Sequence, residues 1–254
     1  MLIEREIHGS KMLLDDNDHG LSAQLLKYGT RESEAPYLLE KIVKPGMVAL
    51  DVGANLGFYA FIEARAGAKV YAVEPDPRNA DILRQAVELN GYDITVIERA
   101  VGDREGPVEF VRTTRYNQCH VKGAEMMHIP GTETLTVEME RLDDIARRHG
   151  ITQVDLLRFD IEGYEVEMIE GAQEVLRVMP AGSWMFAELH PRCFKHPVRD
   201  FQPTVENIIG HGFKPWYSVE PVRKLASVPP ADFASVTCTK YAGEAPLVFF
   251  QKCE

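Results

Sequence analysis

The stretch MVALDVGANLGFYA, residues 47–60, decides the fold. Its first six residues, Met47 to Val52, form an apolar run of the length of a buried strand. Gly53 and Gly57 then punctuate the chain, and residues 57–66 resume with helical spacing. Gly53 can take backbone angles closed to other residues, so the chain can turn sharply there. It also lacks a Cβ, so a ligand can lie against the backbone. Gly57 lets the helix begin close to the strand, and the free N–H groups of the helix start then face the same place.

Working outward, the same strand-then-helix rhythm repeats. KVYAVE (69–74) predicts a second strand, and Pro75-Asp76-Pro77 opens the next helix, where a missing proline N–H costs nothing. Residues 78–90 place Ile82, Leu83, Ala86, Val87 and Leu89 at helical spacing, with Gly91 as C-cap. A third strand is predicted at 94–100. The alternating stretches 107–112 and 134–140 predict antiparallel strands around a polar loop at 113–133, a small β insertion. A helix at 141–150, a strand at 154–159 and a helix at 164–177 return to the α/β pattern. A strand at 184–189 ends near Glu188 and His190. A helix at 203–211 precedes the last strands, 213–219 and 246–251, joined by a Pro-rich loop. Residues 1–40 are expected to form a small strand pair and helix packed on the core, with 41–254 as the main part of one α/β domain.

Composition narrows the function. The 254 residues suffice for one well-buried domain, and 45% apolar with 26% charged residues is ordinary for a globular protein. A net charge of -11 repels phosphate backbones, so no nucleic-acid partner is expected. The densest basic group, Arg141, Arg147, Arg148 and His149, reads as a solvated helix end. Cys119, Cys193, Cys238 and Cys253 form no CxxC pair, which fits free thiols rather than a zinc site. The opening MLIEREIHGSK carries charges where a secretion signal needs an apolar run, and no run approaches the ~20 residues of a membrane span. A cytoplasmic protein with no membrane partner is expected. Oligomeric state is not readable.

Two acids select the ligand of the glycine turn. A dinucleotide site carries three glycines as G-x-G-x-x-G and sets a pyrophosphate over them. Here the pattern is G-x-N-x-G and Asp51 precedes it. A carboxylate there repels a pyrophosphate and favours an ammonium group. Glu74, ending the second strand, can accept hydrogen bonds from both hydroxyls of a ribose. A nicotinamide-dependent oxidoreductase, or a non-catalytic nucleoside-binding protein, stands as the alternative reading.

Five segments together resemble the FkbM-type methyltransferases: PGMVALDVGANLGFYA (45–60), VYAVEPDPRNADIL (70–83), RAVGDREG (99–106), DLLRFDIEGYEVEMIEGAQEVL (155–176) and FAELHP (186–191). The likeness runs in order from about residue 28 to 191. It implies a class I methyltransferase fold: α/β and Rossmann-like, with seven mostly parallel strands and an antiparallel last strand. It also implies S-adenosylmethionine as cofactor and O-methylation of a hydroxyl on a small molecule or saccharide. Carried over, Asp51, Gly53, Ala54, Asn55, Gly57 and Phe58 line the methionine and ribose part, with Glu74 and Pro75 at the ribose. Arg99 to Asp103 flank the adenine. Ala100 stands where many class I enzymes carry an acid, leaving Asp103 as the substitute.

Methyl transfer needs a positioned nucleophile, and an alcohol also needs a base or a metal to release its proton. Asp160, Glu162, Glu188 and His190 end the fourth and fifth strands, and ligands of open α/β sheets gather at such ends. His190 is the candidate base, since histidine changes charge near neutral pH. Asp160 is also a candidate for the cofactor's ammonium group. Glu162 reads equally as an acid favoured at a helix start, and for Glu165 that reading is preferred. Asp160, Glu188 and His190 are loosely spaced for a divalent ion, so direct base catalysis without a metal is expected. Arg115, Tyr116, Asn117 and His120 of the polar loop, and Trp216 with Tyr217, are further polar or aromatic groups that could meet a sugar.

Overall fold

Strand β3 (Val48–Val52) is the buried run read from the sequence, and it leads through the glycine turn into helix α3 (Phe58–Arg65). The structure is a computed structural model describing residues 1–32, 34–123, 132–219, 225–227, 233–239 and 245–253. The chain groups into two compact units. One is built mainly of Met1–Ala100 with Pro107–Lys122, the other mainly of Met139–Glu254 with Val101–Gly106.

The first unit opens with an antiparallel hairpin, β1 (Leu2–Ile7) and β2 (Ser10–Asp15). His8 and Gly9 both take positive φ, 47° and 74°, as a tight two-residue hairpin turn requires. Helices α1 (Leu21–Tyr28) and α2 (Glu34–Ile42) follow, then β3, α3, β4 (Lys69–Val73), α4 (Pro77–Asn90) and β5 (Ile94–Ile97). β3, β4 and β5 pair in parallel in that order, with Asp51 opposite Ala72 and Val52 opposite Val73. The hairpin is tied to the end of α4: Lys11 N donates to Asn90 Oδ1 at 2.9 Å, and Ser10 and Tyr92 share a 3.1 Å hydroxyl contact. Asp76 caps α4 by accepting from Arg78 N, and Gly91 closes it at φ 66° with its N–H on Val87 O. These are the cap roles read from Pro75-Asp76-Pro77 and Gly91.

Past β5 the chain forms short strands β6 (Ala100–Val101), β7 (Gly106–Arg112) and β8 (His120–Val121), then β9 (Glu133–Glu140). β7 and β8 pair antiparallel. The polar stretch at 113–133 therefore contains a strand and, at Tyr116–Gln118, a single 3₁₀ turn. Residues 124–131 lie outside the described residues. The third strand ends at Ile97 instead of reaching residue 100.

The second unit holds α5 (Leu142–Arg148), β10 (Leu156–Phe159), α6 (Glu165–Glu170), α7 (Gln173–Val178), β11 (Trp184–Glu188), α8 (Pro197–Asp200) and α9 (Gln202–Gly210). It continues through β12 (Phe213–Val219), β13 (Leu225–Ser227), α10 (Phe233–Thr239) and β14 (Leu247–Lys252). β10 and β11 run parallel, β14 is antiparallel to β11, and β12 is antiparallel to β14. The expected seven principal strands are present, three in one unit and four in the other, with the last antiparallel. The short β13 is an addition, paired with β12. Phe186 and Phe249 stack across β11 and β14 at 4.2 Å between centroids, inside a core with Leu156, Leu157, Phe159 and Phe250 fully buried. The loop predicted between the last two strands is described only at β13 and α10.

The helix predicted over 164–177 is two helices. Gly171 stands at the break, and a Cβ there would lie 1.9 Å from Gly102 O, so the position takes glycine. Asp143 holds the break: its N–H donates to Gly171 O at 3.0 Å, and its Oδ1 accepts from Val175 N at 2.9 Å.

Candidate functional site

Two clusters carry chemistry, one in each unit. In the first unit the tip of β3 turns through three left-handed residues, Gly53 (φ 79°), Asn55 (φ 54°) and Gly57 (φ 86°). Asparagine is among the few side chains that tolerate this region. The turn is clamped over β4: Gly53 N and Ala54 N both donate to Val73 O, at 2.9 and 3.0 Å. Asn55 Oδ1 accepts from Leu56 N at 2.8 Å. A Cβ on Gly57 would lie 2.4 Å from Leu83 Cδ1, so the glycine lets α3 press against α4.

Glu74, directly after β4, is the hub. Its Oε2 accepts from Asn55 N at 2.8 Å and its Oε1 from Asp76 N at 2.9 Å. One carboxylate thus ties the glycine turn to the α4 cap, and a carboxylate retains acceptor capacity beyond two bonds. Burial, reinforced by the charge of Asp76, pushes the Glu74 carboxyl up to about 8. Asp51 at the tip of β3 is also fully buried. Phe58 is buried and meets Tyr59 edge-on at 5.0 Å, while Pro75 is half-buried. These groups keep the positions the sequence assigns them. A ligand offering hydroxyl donors and an ammonium group suits the donor set of two buried acids beside a glycine turn.

Sequence reading did not single out Asp76 beyond its place before Pro77. It is wholly buried and gripped by Arg112, Nη2 to Oδ1 at 2.7 Å and Nε to Oδ2 at 2.9 Å, with Arg78 Nη2 at 3.0 Å from Oδ2. The polar loop proves architectural at Tyr116. Its hydroxyl donates to Asp15 Oδ2 at 2.7 Å, its N–H to Asp18 Oδ1 at 2.9 Å, and the Arg78 guanidinium lies 3.4 Å over its ring. His120 is buried, with Nδ1 3.1 Å from Gln118 O. Of the two residues expected at the adenine, Ala100 is buried, and Asp103, which belongs to the second unit, is exposed and paired with Arg104 at 3.0 Å.

In the second unit Asp160, Glu162, Glu188 and His190 come together at the ends of β10 and β11. His190 is fully buried, with Nδ1 2.8 Å from Glu165 Oε1. Its Nε2 stands 3.5 Å from Glu162 Oε2 and 3.5 Å from Glu188 Oε1. One ligand atom each of Asp160, Glu162 and His190 falls within 4.8 Å of the others. Glu162 is not in a helix start: it adopts a left-handed φ of 53°, three residues before α6, followed by Gly163 at φ 99°. Such a conformation costs a glutamate on the order of 1 kcal/mol and persists where the surroundings demand it. It points this carboxylate at His190. Arg158 Nη2 approaches Asp160 Oδ2 at 3.3 Å, and Arg192 Nη2 lies 3.9 Å from Glu162 Oε2.

Glu165 is the residue to which sequence reading gave only a helix-start role. It does occupy the first turn of α6, but it is fully buried and accepts from Gly163 N at 3.0 Å as well as facing His190. The signal available was its spacing, five residues after Asp160, in D-x-E-G-x-E. Burial works against a charged His190, yet the Glu165 and Glu162 carboxylates outweigh it and hold the ring well above its ordinary pKa. Burial pushes Glu162 up to about 8, with His190 opposing and Asp160 and Glu188 adding to the rise. Trp216 is exposed, with its ring 6.4 Å from that of Tyr217.

The strand order and the glycine turn define a class I methyltransferase fold. Solved structures share it: an rRNA methylase from Streptococcus thermophilus (TM-score 0.51, 12% identity, 89% of this chain and 98% of that one) and the tRNA m1G37 methyltransferase of M. jannaschii (0.50, 12%, 100% and 57%). At such identities the likeness concerns the fold alone. The family model of the methyltransferase FkbM domain matches residues 51–203, and the chain belongs to that family. Among curated relatives, the 2-O-methyltransferase NoeI of Sinorhizobium fredii is 29% identical over 55% of this chain and 63% of its own. The 31-O-demethyl-FK506 methyltransferase FkbM of Streptomyces tacrolimicus is 27% identical over 52% and 62%. The chain thus spans less than two thirds of the length of these two relatives.

Proposed function

We propose that the chain transfers a methyl group from S-adenosylmethionine to a hydroxyl oxygen of a small molecule or saccharide. The observation that carries this reading is the pair of fully buried acids, Asp51 and Glu74, at the tips of adjacent parallel strands beside a left-handed glycine turn. Bound there, S-adenosylmethionine supplies a methyl group already activated on a sulfonium sulfur. Asp51 offers its carboxylate to the amino-acid ammonium. Glu74 accepts from the ribose hydroxyls while its bonds to Asn55 and Asp76 hold it in place. Gly53, Ala54, Asn55, Gly57, Phe58, Pro75 and Ala100 complete the cofactor set.

The second cluster handles the acceptor. The His190 ring is wholly enclosed, so it does not reach an acceptor itself; Glu165 fixes its orientation. Glu188, 13% exposed at its side chain, takes the acceptor's proton. Asp160, 10% exposed at its side chain, is engaged by Arg158 Nη2 at 3.3 Å. The names of two relatives, a 2-O-methyltransferase and a 31-O-demethyl-FK506 methyltransferase, support an oxygen acceptor on a sugar or natural product. The net charge of -11 disfavours an RNA acceptor, although RNA methylases share the fold. No described helix is long and apolar enough to cross a membrane.

Calorimetric titration with S-adenosylhomocysteine, NAD and NADP tests the cofactor assignment. Binding of the first alone is expected. Binding of a dinucleotide with no response to S-adenosylhomocysteine overturns it in favour of an oxidoreductase.

A further inference from the structure

We infer that Asp160, Glu162 and His190 form a binding site for one divalent cation of the Mn²⁺ or Zn²⁺ kind, oriented by Glu165. The argument begins at His190. Its Nδ1 faces Glu165 Oε1 at 2.8 Å, an acceptor, so Nδ1 carries a proton. Metal binding releases the Nε2 proton and leaves a lone pair there for the ion. Nε2 is fully buried, has no hydrogen-bond partner, and is aimed between carboxylate oxygens. Glu162 Oε2, also buried and without a hydrogen-bond partner, is one of them. The carboxylates around Nε2 call for a positive centre between them, which either a proton or a divalent ion supplies.

The distances suit an ion better than a hydrogen bond. Nε2 to Glu162 Oε2 is 3.5 Å, longer than a good N–H···O contact. Two ligands bound tetrahedrally at 2.0–2.1 Å stand about 3.4 Å apart. The three ligand atoms lie within 4.8 Å of one another, so a small contraction closes the set. The backbone supports it, since Glu162 is held at φ 53° with its carboxylate inward. The carboxylate–histidine pair of Glu165 and His190 is the outer support that metal-bound histidines commonly have. One imidazole with two carboxylates favours Mn²⁺ or Zn²⁺ over Ca²⁺, which takes oxygens only. Linear spacing suggested Asp160, Glu188 and His190 as a loose set. Folding substitutes Glu162, which leaves Glu188 beside the ion as the proton acceptor. This deepens the proposed reading, because a cation there lowers the pKa of an acceptor hydroxyl.

The test is a Mn²⁺ titration of the metal-stripped full chain, followed by electron paramagnetic resonance of the free ion. Uptake of one ion per chain is expected, with His190→Asn and Glu162→Gln abolishing it. Glu165→Gln, which keeps the ligands, should weaken uptake by about 10- to 100-fold. Should the ligand variants fail to fold, the wild-type chain still decides: bound Mn²⁺ must broaden the His190 imidazole resonances selectively. The inference is overturned if Mn²⁺ and Zn²⁺ both stay in solution up to about 1 mM. It is equally overturned if folded ligand variants take up the ion as the wild type does, or if the His190 resonances stay sharp. S-adenosylhomocysteine binding on the same preparations separates the two claims. A chain that binds the nucleoside but no ion loses only this site, and the reverse result loses only the cofactor assignment.

Discussion

Glu74 Oε2 accepts the backbone N–H of Asn55 at 2.8 Å, so the acid ending the second parallel strand holds the glycine turn that ends the first. Cofactor recognition and turn geometry therefore share one side chain. Glu74→Ala should weaken S-adenosylhomocysteine binding by about 10- to 100-fold through loss of its buried hydrogen bonds. Unchanged affinity by calorimetry would remove Glu74 from the site.

The same residue imposes a pH dependence on stability. The folded pKa of Glu74 is raised to about 8 from 4.5, chiefly by burial, so the folded state holds a proton that the unfolded chain releases. Stability from this group is complete below pH 4.5 and is lost as pH rises towards about 8. Glu74→Gln should flatten that part of the profile in denaturant unfolding of the ligand-free chain. Parallel profiles for the two proteins would contradict the assignment.

His190 and Glu165 should separate chemistry from cofactor binding. Glu165→Gln leaves the ring in place but removes the charge that orients it. Methyl transfer to the acceptor should fall by about 10²- to 10⁴-fold, with S-adenosylhomocysteine affinity unchanged. His190→Ala should do the same. Normal turnover in either variant would place the pair outside the mechanism.

Gly57 combines φ 86° with a neighbour, Leu83 Cδ1, 2.4 Å from where a Cβ would stand. Gly57→Ala should cost about 1–3 kcal/mol of stability in urea unfolding. A cost near zero would mean that α3 and α4 separate freely.

Arg112 clasps the buried Asp76 through two hydrogen bonds. Arg112→Ala leaves that carboxylate to Arg78 and the backbone, and should destabilise the chain by about 1.5–3 kcal/mol. The partial exposure of Arg112 keeps the loss from being larger. Thermal unfolding at low and high salt checks this, and a fully salt-sensitive loss would mark the pair as a surface interaction.

Local chemistry alone determined much of this protein. The buried run before Gly53, the Asp76 cap, the Gly91 stop and the alternation of strand with helix are short-range features, each dictated by residues a few positions apart. The glycine turn and its two acids were legible for the same reason. Tertiary packing decided the rest. Gly171 reads as helix by spacing, yet the helix ends there and the backbone lies against Gly102 O, with no room for a Cβ. Glu165 looks like an ordinary helix-start acid until β11 brings His190 to 2.8 Å from it. Glu162 joins Asp160 and His190 within 4.8 Å from a left-handed backbone position that no periodicity reveals. Contacts between residues far apart in the chain depend on how strands and helices pack, and burial then sets which acids face a histidine and which face water.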